Sequence, residues 1–157
     1  MLVPVTQWRC DECGEVVSAE DGYVIWNRFN APDFQFRVIH HVKCDNNAFP
    51  SSLALSSLLG PDGLAKLTSW LSYGPPNSQP GLPSRQECAG DYPIPPLDAW
   101  VDLMRRLHLP RYEESRPLYF RPWVWDHFSG TSESYPYLQD SIAGLLDEAC
   151  QRELVDE

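Results

Sequence analysis

Lysine is almost missing from this chain. Of its 12 basic residues only Lys43 and Lys66 are lysines, against 22 acids, for a formal net charge of −10 and a pI near 4.7. Such a balance excludes a general electrostatic pull toward nucleic acid or an anionic membrane. No run of apolar residues approaches the 18 or so needed to span a bilayer, so no membrane segment is expected. The first residues, MLVPVTQW, carry neither a basic region nor an apolar stretch of signal-peptide length. There is no Walker or dinucleotide glycine loop, no H-E-x-x-H and no G-x-S-x-G. The expectation is a cytoplasmic protein without the common catalytic signatures.

What is present is aromatic and proline-rich. Six Trp, seven Tyr and six Phe in 157 residues supply enough apolar surface for a real core, and 15 prolines predict several breaks between short elements. Five cysteines are an odd number, which argues against a closed disulfide framework. In a reducing compartment they are thiols or metal ligands.

Two of those cysteines stand in Trp8-Arg9-Cys10-Asp11-Glu12-Cys13-Gly14, of the form C-x-x-C-G. A two-residue gap makes a tight turn that aims both sulfurs at one point, and Gly14 supplies the backbone angle needed to leave it. Further on, in His40-His41-Val42-Lys43-Cys44, His41 and Cys44 repeat the gap. Together Cys10, Cys13, His41 and Cys44 form a Cys3His set suited to tetrahedral Zn2+ with a structural role, since four protein ligands leave no open position. His40, at a looser three-residue gap, is the alternative to His41; the two point to opposite faces of an alternating strand, so one should bind and the other serve as an outer-shell donor or a surface residue. Cys88 is a more remote alternative for the fourth ligand. Cys150, in a predicted helix, reads as a core thiol.

Between the two pairs, residues 23–29 (YVIWNRF) and 34–40 (FQFRVIH) have the β-branched and aromatic content of strands, and the Asn30-Ala31-Pro32-Asp33 segment between them is a turn signal. A hairpin would carry the second pair back beside the first. Downstream, residues 51–60 and 61–74 read as two short helices, the second with Leu64, Leu67 and Leu71 as its apolar stripe. Residues 97–109 return to helical spacing through Leu97, Trp100, Val101, Met104 and His108, with Leu103 and Leu107 widening the stripe. A further segment runs over 111–120, and 136–154 has the clearest helical pattern. From 75 to 96 lie seven prolines, which predicts a loop. The expected class is α+β: a zinc-ribbon hairpin module over 1–50, then a mainly helical region over 51–157.

At Trp8–Cys13 and His41–Cys44 the sequence resembles zinc-ribbon modules. That resemblance covers the first third of the chain and implies a metal-braced hairpin of the kind that serves in transcription, in ribosomes and in protein docking. The stretches 8–14, 21–26 and 38–41 are also similar to small bacterial proteins of actinobacterial or phage type, a likeness that implies no activity.

Three functional readings follow. A non-enzymatic binding or regulatory protein, acting on a protein partner or on a second copy of itself, would use the aromatic stretch at Trp123, Trp125 and Phe128. A nucleic-acid binder would use the ribbon with Arg105, Arg106 and Arg111 as anion contacts, against the overall charge. An enzyme would need His108, His127 and acids such as Asp126 or Glu113 to converge between the two lobes.

Overall fold

The computed structural model describes residues 5–27, 31, 33–46, 49–72 and 95–155. The fold is α+β, with small antiparallel sheets in the N-terminal part and helices after them. Thr6–Leu107 forms one compact unit and His108–Glu157 the body of another. Residues 51–107 fall in the same unit as the cysteine pairs.

In the first unit β1 (Gln7–Arg9) pairs with β2 (Val16–Ser18). The second sheet has the order β4-β3-β5, from β3 (Gly22–Trp26), β4 (Phe36–His40) and β5 (Ser51–Ala54). The register of the central hairpin places Val24 opposite Val38 and Trp26 opposite Phe36. Val24, Val38 and Ile39 are fully buried; Val38 and Ile39 are adjacent and point to opposite faces, so β4 is covered on both. Trp26 and Phe36 continue into a ring cluster with Trp70, whose indole stacks on Phe36 at 5.5 Å and 5°. Trp70 is a packing residue, as its place in the helical pattern suggests.

Residues 51–60, expected as a helix, instead form β5 and then a 3-10 turn, Leu55–Leu58. The local Ser-Ser-Leu pattern suits a helix start, but β3 offers a free edge, and pairing Leu53 with Val24 uses its backbone donors and acceptors. Helix α1 (Gly60–Ser72) follows, with Pro61 and Asp62 in its first turn. Leu67 is its fully buried residue, while Leu64 is 43% exposed. Gly63 is required: a Cβ there would lie 2.0 Å from the Leu58 carbonyl carbon. The Trp100 indole N–H donates to the Leu67 carbonyl at 3.1 Å, tying α1 to α2 (Leu97–His108).

Helix α2 buries the Leu103 and Leu107 edge of its expected stripe, together with Arg106. Leu97 is 64% exposed. Hydrophobic periodicity scores an arginine as surface, and here the arginine lies inside.

The second unit holds α3 (Tyr112–Ser115), a 3-10 turn (Arg116–Phe120), α4 (Pro122–His127), a 3-10 turn (Tyr135–Tyr137) and α5 (Gln139–Val155). Ile142, Leu145 and Ala149 of α5 are buried at helical spacing. Tyr112, Tyr119 and Tyr137 form a ring cluster, and the Tyr119 hydroxyl donates to the Pro136 carbonyl at 2.7 Å. Cys150 is exposed rather than a core thiol. It follows Ala149 by one residue, about 100° around the helix, and so leaves the buried stripe. The proline-rich stretch from 75, including Cys88, falls up to residue 94 outside the described residues.

Candidate metal centre

Cys10 directly follows β1, and its turn closes by two backbone bonds. The Cys10 N–H donates to the Glu15 carbonyl at 2.8 Å, and the Gly14 N–H to the Cys10 carbonyl at 2.9 Å. Gly14 has φ 73°, the left-handed conformation that glycine adopts without cost. The first knuckle therefore has the shape expected from C-x-x-C-G. Its core neighbours are Ile25 and Ile39, with Tyr23, Cys44 and Phe49 packed around them.

The second knuckle corrects the expected ligand set. Cys10, Cys13, His40 and Cys44 converge, their donor atoms all within 4.8 Å of one another. His41 is not among them: its ring stacks on Tyr23 at 4.0 Å and 15°. The reason is backbone geometry. The Cys44 N–H donates to the His40 carbonyl at 3.2 Å, closing a helix-like turn that stands His40 and Cys44 on one side, while the His41 ring is taken up by its stack on Tyr23. His41 meanwhile anchors its N–H to the Asp21 carbonyl at 2.8 Å. The signal in the sequence was the four-residue interval itself, which suits a helical turn as well as the shorter gap suits a ribbon knuckle.

The imidazole of His40 is oriented for ligation. Its Nδ1 lies 3.6 Å from the Cys13 sulfur and 3.6 Å from the Cys44 sulfur. A tetrahedron with bonds of about 2.3 Å to sulfur and about 2.0–2.1 Å to nitrogen has sulfur–nitrogen edges of roughly 3.6 Å. On the other side of the ring, Nε2 lies 3.2 Å from the Val16 carbonyl. A carbonyl can only accept, so Nε2 carries the hydrogen and Nδ1 keeps a lone pair facing the sulfurs.

The thiols differ in their hold on protons. Burial opposes ionisation of Cys10, but backbone N–H groups of Cys13 and Glu12 outweigh it and bring its pKa down to about 6. Burial pushes the Cys44 thiol up to about 11, helped by the nearby sulfurs of Cys10 and Cys13. Lys43 pairs with Glu15, bridging the two knuckles at the surface. That bond raises the pKa of Lys43 and lowers that of Glu15.

Both acids inside the first knuckle are engaged by arginines. Arg37 reaches Glu12 at 2.7 Å and Arg106 reaches Asp11 at 2.7 Å. Arg106 is therefore no surface anion contact: it is 1% exposed. Of the other two arginines named with it, Arg111 pairs with Glu114 at 3.6 Å, and Arg105 is half-buried.

In the helical unit the aromatic trio separates. Trp125 is 72% exposed. Trp123 is covered by the Arg152 guanidinium, 4.4 Å from its ring, and Phe128 packs against His127 and Tyr135. Phe120, in the same aromatic stretch, is 79% exposed. His127 pairs with Glu148 at 2.8 Å rather than with the acids considered beside it; Asp126 is exposed and Glu113 buried. His108 keeps its Nε2 buried without a hydrogen-bond partner, and burial lowers its pKa. Among the described residues no helix is long and apolar enough to cross a membrane.

No protein-family model, curated protein or solved structure matches this chain.

Proposed function

We propose that this is a non-enzymatic binding protein in which a structural zinc ion braces the N-terminal unit and exposed aromatic side chains of the helical unit engage a protein partner. The observation that carries the zinc reading is the sulfur–nitrogen spacing of 3.6 Å at His40, which matches two edges of a tetrahedral site. Three sulfurs and one imidazole nitrogen are the soft donor set that favours zinc. Four protein donors complete the tetrahedron, so the ion would have no position for water or substrate. Cys10, Cys13, His40 and Cys44 would hold the ion, and its contribution would be to join two knuckles that are 27 residues apart between Cys13 and His40.

A partner role is supported by Phe120 and Trp125, two large rings that are mostly exposed within six residues of each other. Aromatic anchors of this type dominate binding energy where they enter a partner's pocket. The test replaces both, Phe120→Ser and Trp125→Ser, in the full chain. Wild type and variant are compared by sedimentation and by affinity purification from the native host. Loss of a defined partner or of self-association only in the variant supports the reading. A wild-type chain that stays monomeric and captures nothing above the variant would remove its basis.

One observation keeps a second reading in view. Arg121 is exposed and stands between Phe120 and Trp125 in the chain, the mixture that stacks on single-stranded nucleic acid. Its signature would be low-salt binding that weakens steeply as salt is added.

A further inference from the structure

The first knuckle is held by more than its own turn. Asp11, between the two cysteines, accepts the Val38 N–H at 2.6 Å and the Arg106 guanidinium at 2.7 Å on the same carboxylate oxygen. The other arm of Arg106 donates to the Arg9 carbonyl at 3.2 Å. The Arg106 carbonyl in turn accepts the Trp8 indole N–H at 3.0 Å, across 98 residues of sequence. Residues 8, 9 and 11 are thus fastened to one residue of α2, and Cys10 lies between the fastening points. Both Trp8 and Arg106 are 1% exposed.

We propose, resting on the metal-binding reading above, that metal occupancy and the docking of the C-terminal part of α2 are one linked equilibrium, with Arg106 as the positioning residue that joins them. The guanidinium tolerates burial because Asp11 neutralises it and the Arg9 carbonyl accepts from its other arm. Asp11 occupies that place only while the knuckle keeps the shape that converges Cys10 and Cys13. Removing the cation takes away what holds three sulfurs and a nitrogen together. Any relaxation of residues 9–11 then moves the partner of a buried charge. The helix carrying that charge loses part of its reason to stay docked. Coupling of this kind is reciprocal: whatever weakens α2 docking weakens metal binding by the same factor.

Arg106 supplies none of the four donor atoms, so its effect is separable from ligand loss. In the full chain, Co2+ is titrated as a spectroscopic probe and Zn2+ affinity is then obtained by competition, for wild type, Arg106→Met, Asp11→Asn and the double variant. Each single change is expected to weaken Zn2+ by about 10- to 100-fold, the range seen for outer-shell partners. The cobalt spectrum should keep its tetrahedral form, because the donor atoms are intact. The double variant should be weakened by less than the product of the two single effects, as for residues acting through one contact. Hydrogen exchange supplies the second readout. Chelation of wild type should lower protection of amides 100–107 and leave those of 141–149 in α5 unchanged.

The outcomes separate the two layers. A wild-type chain that binds no cobalt or zinc overturns the metal reading itself. A wild type that binds, with a folded Arg106→Met variant within twofold of it and α2 protection indifferent to metal, overturns the linkage and leaves the metal site standing. Should Arg106→Met not fold, the wild-type exchange experiment with and without metal decides alone.

Discussion

His40 presents Nδ1 to the Cys13 sulfur at 3.6 Å while its Nε2 is spent on the Val16 carbonyl. The neighbouring His41 spends its ring on Tyr23 instead. These two histidines should therefore behave as opposites. His40→Ala removes a ligand, and its Zn2+ affinity is expected to fall by more than the roughly 100-fold upper range of an outer-shell loss. His41→Ala should bind within a few fold of wild type, because only a half-exposed ring stack is lost. Competition against a chromophoric chelator measures both.

Metal binding should be proton-linked. Cys44, with its pKa raised to about 11, is protonated at neutral pH and must give up that proton to become a ligand. Cys10, lowered to about 6, is already ionised above that value and takes up a proton as pH falls through it. Apparent Zn2+ affinity should accordingly rise with pH from 5 toward 9, and fall more steeply below about 6. Calorimetry in buffers of different ionisation enthalpy should register net proton release at pH 7.5.

Thiol labelling should divide the described cysteines. With metal bound, Cys150, exposed on α5, should react freely with a maleimide, while Cys10, Cys13 and Cys44 are protected as ligated thiolates. After chelation Cys13, the exposed member of the cluster, should label before the buried Cys10. Mass spectrometry of the peptides reads this directly.

Stability should follow the core rather than the exposed rings. Leu67→Ala, at a fully buried position, is expected to cost about 2–5 kcal/mol. Trp125→Ser, at a side chain that is mostly in solvent, should stay within about 0.5 kcal/mol of wild type. Denaturant titration monitored by circular dichroism distinguishes them.

Much of this architecture was legible because it rests on local spacing. The C-x-x-C-G turn, the β3–β4 hairpin, and helices α1, α2 and α5 follow from turn chemistry and periodicity, and each appears within a few residues of its expected span. What was not legible depends on distant partners. Ser51–Ala54 is a strand because the edge of β3 is available to it, a fact absent from residues 51–60 themselves. Arg106 is buried because Asp11 lies 95 residues away in sequence and beside it in space. Pattern reading placed it outside with the other arginines. His40 rather than His41 faces the sulfurs because the Cys44 N–H closes on the His40 carbonyl while His41 is held by the Asp21 carbonyl and the Tyr23 ring, 20 and 18 residues earlier in the chain. Cys150 missed the core by one residue, since Ala149 occupies the buried stripe.

Metal content of the purified full chain, measured by inductively coupled plasma mass spectrometry beside a Cys13→Ser control, tests the central claim most directly. About one zinc per wild-type chain, lost in the control, is the expected result for a four-donor structural site. A wild-type protein that is fully folded and carries no metal would contradict it, as would a control that keeps the full complement.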